Sequence, residues 1–218
     1  MAFITRQVSA SANNLRVEYF SAEIQFWLSE SSPPNIRIGM KVADGGAYYK
    51  LGGGYRFLNI PIKQGTVIKN AYLTVTASSS SDTEEYGDAN SVIAGNDEDN
   101  AGVFSDLADY QSSCGTRCGG ANNDKRTTAS VDWNAIEPFT IDEEYQSPDI
   151  SSVVQEIIDR PNWQSGNSLV LFWEDHGGDW YPDSPQPLRT VYGYDGSAAK
   201  AVKLHIEYQS SGLFTFHG

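Results

Sequence analysis

Basic residues and cysteine are both scarce in this chain. Fifteen Lys+Arg face 28 Asp+Glu over 218 residues, a formal net charge of −13. Nucleic-acid binding needs a basic stripe that displaces counterions, so this balance argues against it. It argues equally against an anionic membrane surface. An acidic surface suits solubility, calcium held at specific loops, or exposure on the outside of a crowded particle.

No apolar run approaches the roughly 20 residues that span a bilayer. The opening MAFITRQVSASANN lacks the continuous apolar core of about 7–15 residues found in a secretory signal. Two expectations follow: a protein used without secretion, or one from which a signal has been trimmed. Met1 favours the first. There are only two cysteines, Cys114 and Cys118, in the glycine-flanked stretch CGTRC. A disulfide there would close a short loop and contribute little chain entropy. Two free thiols is the other reading, and zinc is disfavoured because a structural site wants four ligands. A chain of this length buries roughly 70% of its unfolded surface, so it needs no staple in order to fold.

What the chain does have is alternation. FITRQV (3–8), LRVEYF (15–20), EIQFWL (23–28), IRIGMKV (36–42), AYLTVTA (71–77), SVIAG, TASVDW and AVKLHIEY (201–208) each read as short strands. Glycines at 45–46 and 52–54 read as turns around a short Tyr48–Tyr49 strand. Lys63-Gln64-Gly65 reads as another turn. NSLVLFW (167–173) barely alternates, so a strand buried on both faces is expected.

One helix interrupts this pattern, at about 148–160. Ile150, Val153, Val154, Ile157 and Ile158 form one apolar stripe. Ser147 is the expected N-cap, Pro148 the first helical residue, and Pro161 the stop. The expected fold is mainly β: a jelly-roll-type β-sandwich with one short amphipathic capping helix. Residues 1–49 supply N-terminal strands of the same sandwich, 50–208 the core, and 209–218 a C-terminal tail.

The order of YRFLNIPIKQGTVIKNAYLTVTAS, IAGNDEDNAGVF, RTTASVDWN, DISSVVQEIIDRPNWQSGNSLVLFW and RTVYGYDGSAAKAVKLHIEY resembles a known β-sandwich module. That module recurs in phage virion structural proteins and bacterial surface proteins, and is similar to the carbohydrate-binding-like DNRLRE domains. The resemblance spans roughly residues 50–208. It implies scaffold positions, among them Trp133 and Trp163, and no catalytic constellation. CGTRCGGANN and EDHGGDWYPDSPQP are insertions relative to the usual pattern.

Three groups are candidate sites. Asp97, Asp99, Asn100 and Asp106 cluster hard oxygen ligands that suit calcium. They depart from the EF-hand pattern, which Ala101 and Ala108 break. Apart from calcium, no cofactor is expected. Glu174, Asp175, His176, Asp179, Trp180 and Tyr181 combine carboxylates with aromatic faces and suit a glycan or a partner. In the tail, Leu213, Phe214 and Phe216 suit strand addition to a neighbour.

Hydrolase chemistry gains little. Glu84-Glu85 and Glu143-Glu144 sit in polar stretches, and no nucleophile, zinc-protease or phosphate-loop motif occurs. The expected function is therefore a non-enzymatic phage virion protein on the particle exterior, either capsid decoration or cement, or a tail or fibre component. Its partners would be other virion proteins or copies of itself, with neither nucleic acid nor membrane. A carbohydrate-binding module or adhesin at the cell surface or outside the cell, contacting host glycan, is the alternative. A glycan-active enzyme comes third.

Overall fold

A computed structural model describes residues 1–20, 25–28, 33–42, 48–81, 89–104, 125–175 and 188–210. Among them, two antiparallel sheets pack face to face and one α-helix closes their edge. The chain is a β-sandwich. The smaller sheet has the order β1 (Ala2–Gln7), β12 (Lys203–Tyr208), β6 (Ile68–Thr76), β9 (Glu144–Gln146). The larger runs β11 (Leu188–Tyr192), β4 (Asn35–Val42), β5 (Tyr48–Phe57), β10 (Leu169–Asp175), β7 (Ala89–Asn96), β8 (Arg126–Ile136). β2 (Asn14–Phe20) joins it through β5, and β3 (Gln25–Leu28) pairs with β2. Strands from the first 49 residues thus pair directly with β5 and β12.

The core follows from alternation. Ala71, Leu73 and Val75 of β6 and Leu204 and Ile206 of β12 face Ile36, Ile38, Tyr55, Phe57, Ile93, Leu171 and Trp173 of the larger sheet, and all are buried. β10 is buried on both faces, as its sequence suggested. Leu169, Leu171 and Trp173 enter the inter-sheet core. Val170 and Phe172 point the other way and pack with Leu15, Val17, Ala101 and Phe104 in a second cluster. Burying a side chain such as Phe172 stabilises by roughly 1.5–3 kcal/mol.

β5 departs from expectation. Gly52, Gly53 and Gly54 were expected to turn, but they lie inside a ten-residue strand. The strand is crowded from both sides. A Cβ on Gly52 would lie 2.5 Å from Glu174 Cγ, one on Gly53 2.6 Å from Ile36 Cγ2, and one on Gly54 2.7 Å from Phe104 Cζ. Glycine here serves close approach, not chain reversal. Lys63-Gln64-Gly65 does turn: Gly65 has φ 70° and the Thr66 N–H donates to the Lys63 carbonyl at 3.2 Å.

The helix, α1 (Ser151–Ile158), is shorter than the expected 148–160. Its start is displaced because β6 captures the preceding residues. The Ser147 hydroxyl accepts from Leu73 N–H at 2.9 Å and donates to the Pro148 carbonyl at 2.8 Å, so it cannot cap. Ile150 N–H reaches the Ala71 carbonyl at 2.7 Å. Asp149 takes over the capping work, accepting from Ser151 N–H at 2.8 Å. Val153, Val154, Ile157 and Ile158 are buried, as the stripe required. The helix also covers β8: the two Glu156 carboxylate oxygens accept from Thr128 and Ala129 N–H, each at 2.7 Å. These donors sit at the irregularity where β8 slips against β7 between Ala94 and Asn96.

Candidate functional site

The acidic loop is held by a cation that lies far away in sequence. Arg160 follows α1, and its guanidinium reaches back to the Asp97 carboxylate and, through Nε, to Asp99 Oδ1 at 3.0 Å. Lys125 pairs with Glu98 at 2.9 Å. The Asn100 side-chain oxygen accepts from Ser168 N–H at 2.8 Å, and the Asp99 carbonyl accepts from Asn167 Nδ2 at 2.8 Å. The oxygens expected to take calcium are therefore engaged in pinning the 97–104 segment over the outer face of β10. There Ala101 and Phe104 complete the second cluster. Asp106 lies outside the described residues. Among the described residues no group of three or more His, Cys, Asp or Glu is placed to hold a metal ion.

Of the second group, Glu174 and Asp175 end β10. Glu174 forms an ion pair with Arg126 at 2.7 Å, with side chains only 13% and 4% exposed. The Arg126 guanidinium also sits 4.4 Å from the centre of the Phe172 ring. Removing one partner would strand a buried charge, so this pair anchors β8 to β10. His176, Asp179, Trp180 and Tyr181 lie outside the described residues. So do Leu213, Phe214 and Phe216 of the tail, the cysteines Cys114 and Cys118, and Glu84-Glu85. Glu144 was expected in a loop; it is on β9, where it pairs with Lys203 at 2.8 Å across β6.

Two polar groupings escaped sequence reasoning. Asp142, in the left-handed region at φ 70°, accepts from Lys200 Nζ at 2.6 Å and from the Tyr192 hydroxyl at 2.9 Å. The bond from Lys200, then that from Tyr192, holds the Asp142 carboxyl below its usual range. The Tyr192 hydroxyl and Lys200 amine are pushed up by the same carboxylate. Each group is driven further into its neutral-pH state, which suits a surface clasp and not proton transfer.

On the outer face of the smaller sheet, Tyr72 and His205 stack with ring centroids 4.7 Å apart. Thr5 Oγ1 lies 2.9 Å from His205 Nδ1. Burial, and then the nearby Lys203, pulls His205 below the ordinary imidazole value, while Glu144 opposes them. At neutral pH the ring is therefore uncharged.

On the same face stands Phe3, 82% exposed, with Met1 at 84%. Phe3 belongs to β1, whose single partner among the described residues is β12. Val8 N–H donates to the Val202 carbonyl at 3.0 Å, which continues the β1–β12 register. That register assigns the even-numbered residues of β1 to the ladder and turns the backbone groups of Phe3 and Thr5 towards the open edge. The FITRQ alternation carries the only sequence signal for this edge. It does not say which strand lies at the margin of a sheet.

No helix among the described residues is long and apolar enough to cross a membrane. In comparisons with known proteins, neither a protein-family model nor a curated protein matches this chain.

Proposed function

We propose that the chain is a non-enzymatic structural component of a phage particle. It would act on the exterior through protein–protein assembly, as capsid decoration or cement, or as part of a tail or fibre. The observation that carries the reading is the β1 edge, uncovered among the described residues, where a large aromatic side chain is 82% exposed. Proteins ordinarily blunt or cover such edges, because they template pairing with another chain. The resemblance to phage and surface sandwich modules supports the same reading. So does the charge of −13, which fits a particle exterior better than contact with packaged DNA.

The test is mass spectrometry of gradient-purified particles, followed by limited proteolysis of the intact particles. Stoichiometric presence of the chain, with protease access, is the expected result. Absence from purified particles overturns the reading.

A carbohydrate-binding role is the second reading. The stacked Tyr72–His205 pair beside Phe3 favours it, since aromatic faces pack on sugar C–H groups. A glycan-array signal abolished by Tyr72→Ala would promote it.

A further inference from the structure

Two of the other described margins, β11 and β8, are covered at least in part, while the three-residue β9 has β6 as its single partner among the described residues. At β11, Ser78 N–H donates to the Thr190 carbonyl at 2.9 Å and Ala77 bridges Val191, so the end of β6 continues that edge. At β8, α1 packs alongside and the Glu156 carboxylate accepts from two N–H groups, those of Thr128 and Ala129. β1 has no such cover among the described residues. Its one guard is Arg6, whose guanidinium donates to the Thr5 carbonyl at 3.0 Å and to the Asn59 carbonyl at 3.0 Å. The Thr5 carbonyl keeps a second lone pair, and the Thr5 N–H faces outward.

A second feature lies in the sequence beyond β12. From Ser211 the sequence reads SGLFTFHG, with aromatic residues at alternate positions, Phe214 and Phe216. The described chain reaches its last residues next to the start of β1. Tyr208 is paired with Ala2, and Gln209 N–H is fixed to the Val67 carbonyl at 2.9 Å. A chain's own tail, turning over the start of β1, would have to run parallel to it. Parallel pairing is the weaker ladder. The tail of another molecule is free to run antiparallel.

We infer that β1 is the acceptor edge for the tail of a second copy of this chain, which adds as an antiparallel strand. The inference rests on the assembly reading above and deepens it. Phe216 opposite Phe3 and Phe214 opposite Thr5 is the register that places the aromatic side chains on one face. Backbone bonds to Phe3 and Thr5 supply affinity, and the aromatic row supplies register. One tail per acceptor edge gives either a reciprocal dimer or a head-to-tail ring or filament.

The test uses full-length chains and light scattering over about 1–300 µM, a range suited to small interfaces. Thr5→Pro disables the acceptor without removing any backbone β1–β12 bond, because the lost N–H faces outward; the side-chain bond to His205 is the one contact it gives up. Phe3→Lys is the milder acceptor variant, should the proline unfold the strand. Phe214→Asp with Phe216→Asp disables the donor. The wild type is expected to gain mass with concentration, while each variant alone remains a single chain with an unchanged circular dichroism spectrum. An equimolar mixture of acceptor-dead and donor-dead chains is expected to recover a heterodimer, since one competent tail meets one competent edge.

A wild type that stays monomeric throughout overturns the inference. So does association that survives either variant, or a mixture that fails to complement. In each of these cases, chain found in purified particles would leave the assembly reading standing with a different contact.

Discussion

Trp133 and Trp173 stack with ring centroids 4.8 Å apart and planes 18° from parallel, and the Ser91 hydroxyl binds both residues. It accepts from the Trp173 indole N–H at 2.7 Å and donates to the Trp133 carbonyl at 2.9 Å. One buried hydroxyl thus joins β7, β8 and β10 of the larger sheet. Ser91→Ala would leave a buried donor and a buried acceptor unsatisfied. The expected loss is about 1–3 kcal/mol, read by urea unfolding, with a changed near-ultraviolet tryptophan signal. An unchanged midpoint would show that water replaces the hydroxyl.

Arg160 decides how the acidic loop behaves. Replacing it with Gln leaves Asp97 and Asp99 as adjacent, uncompensated carboxylates on a chain already at −13. The expected cost is roughly 1–2 kcal/mol, reduced by salt because the pair is partly exposed. The wild-type melting temperature should not respond to calcium or EDTA, since Arg160 already engages both carboxylates. A calcium-dependent rise in the wild type would show that the cation displaces Arg160.

Glu156 links helix to sheet. Glu156→Ala removes the acceptor for two β8 N–H groups and should cost about 1–3 kcal/mol. Amide exchange at Thr128 and Ala129 should accelerate more than exchange in β10. Uniform acceleration across the sandwich would mean that the effect is global destabilisation alone.

His205 sets a pH response. Burial, then Lys203, lowers its folded-state value, so the unfolded chain binds the proton more readily. Stability therefore rises with pH, and is lost as pH falls below the ordinary imidazole value of about 6.5. Between pH 7.5 and 5.5 the melting temperature of His205→Gln should fall less than that of the wild type. Equal falls would assign the acid sensitivity to other groups.

Gly53→Ala tests the crowding of β5. Its new methyl would meet Ile36 Cγ2 at 2.6 Å and the Leu15 backbone carbonyl at 2.8 Å, and the carbonyl cannot rotate away. The expected loss is about 1–3 kcal/mol. For a domain of this size, each kcal/mol lowers the melting temperature by roughly 2–4 °C.

These residues also show what the sequence made legible. Period-two alternation exposed most strands, and the run from Leu169 to Trp173 announced a strand buried on both faces, because every one of its side chains needs an apolar neighbour. The Gly52–Gly54 run was misread because glycine marks both turns and close approach, and the groups approaching it come from Leu15, Ile36, Phe104 and Glu174. Ser147 was misread because its local capping geometry lost to a ladder with Leu73, a residue 74 positions away. Long-range pairing, not local propensity, decided both, and it also gives Asp99 of the acidic loop its partner, Arg160, 61 positions further on.

The pairing of β1 with β12 has a temporal consequence. Thr5 and His205 are 200 positions apart yet lie opposite each other. At about 5–20 residues per second, a ribosome makes β1 roughly 10–40 s before its partner strand. Throughout that interval the nascent chain carries an unpaired strand bearing Phe3, and the smaller sheet cannot close. Closure of the smaller sheet therefore waits for β12, and until then the early vulnerability is to pairing between neighbouring nascent chains on the same message.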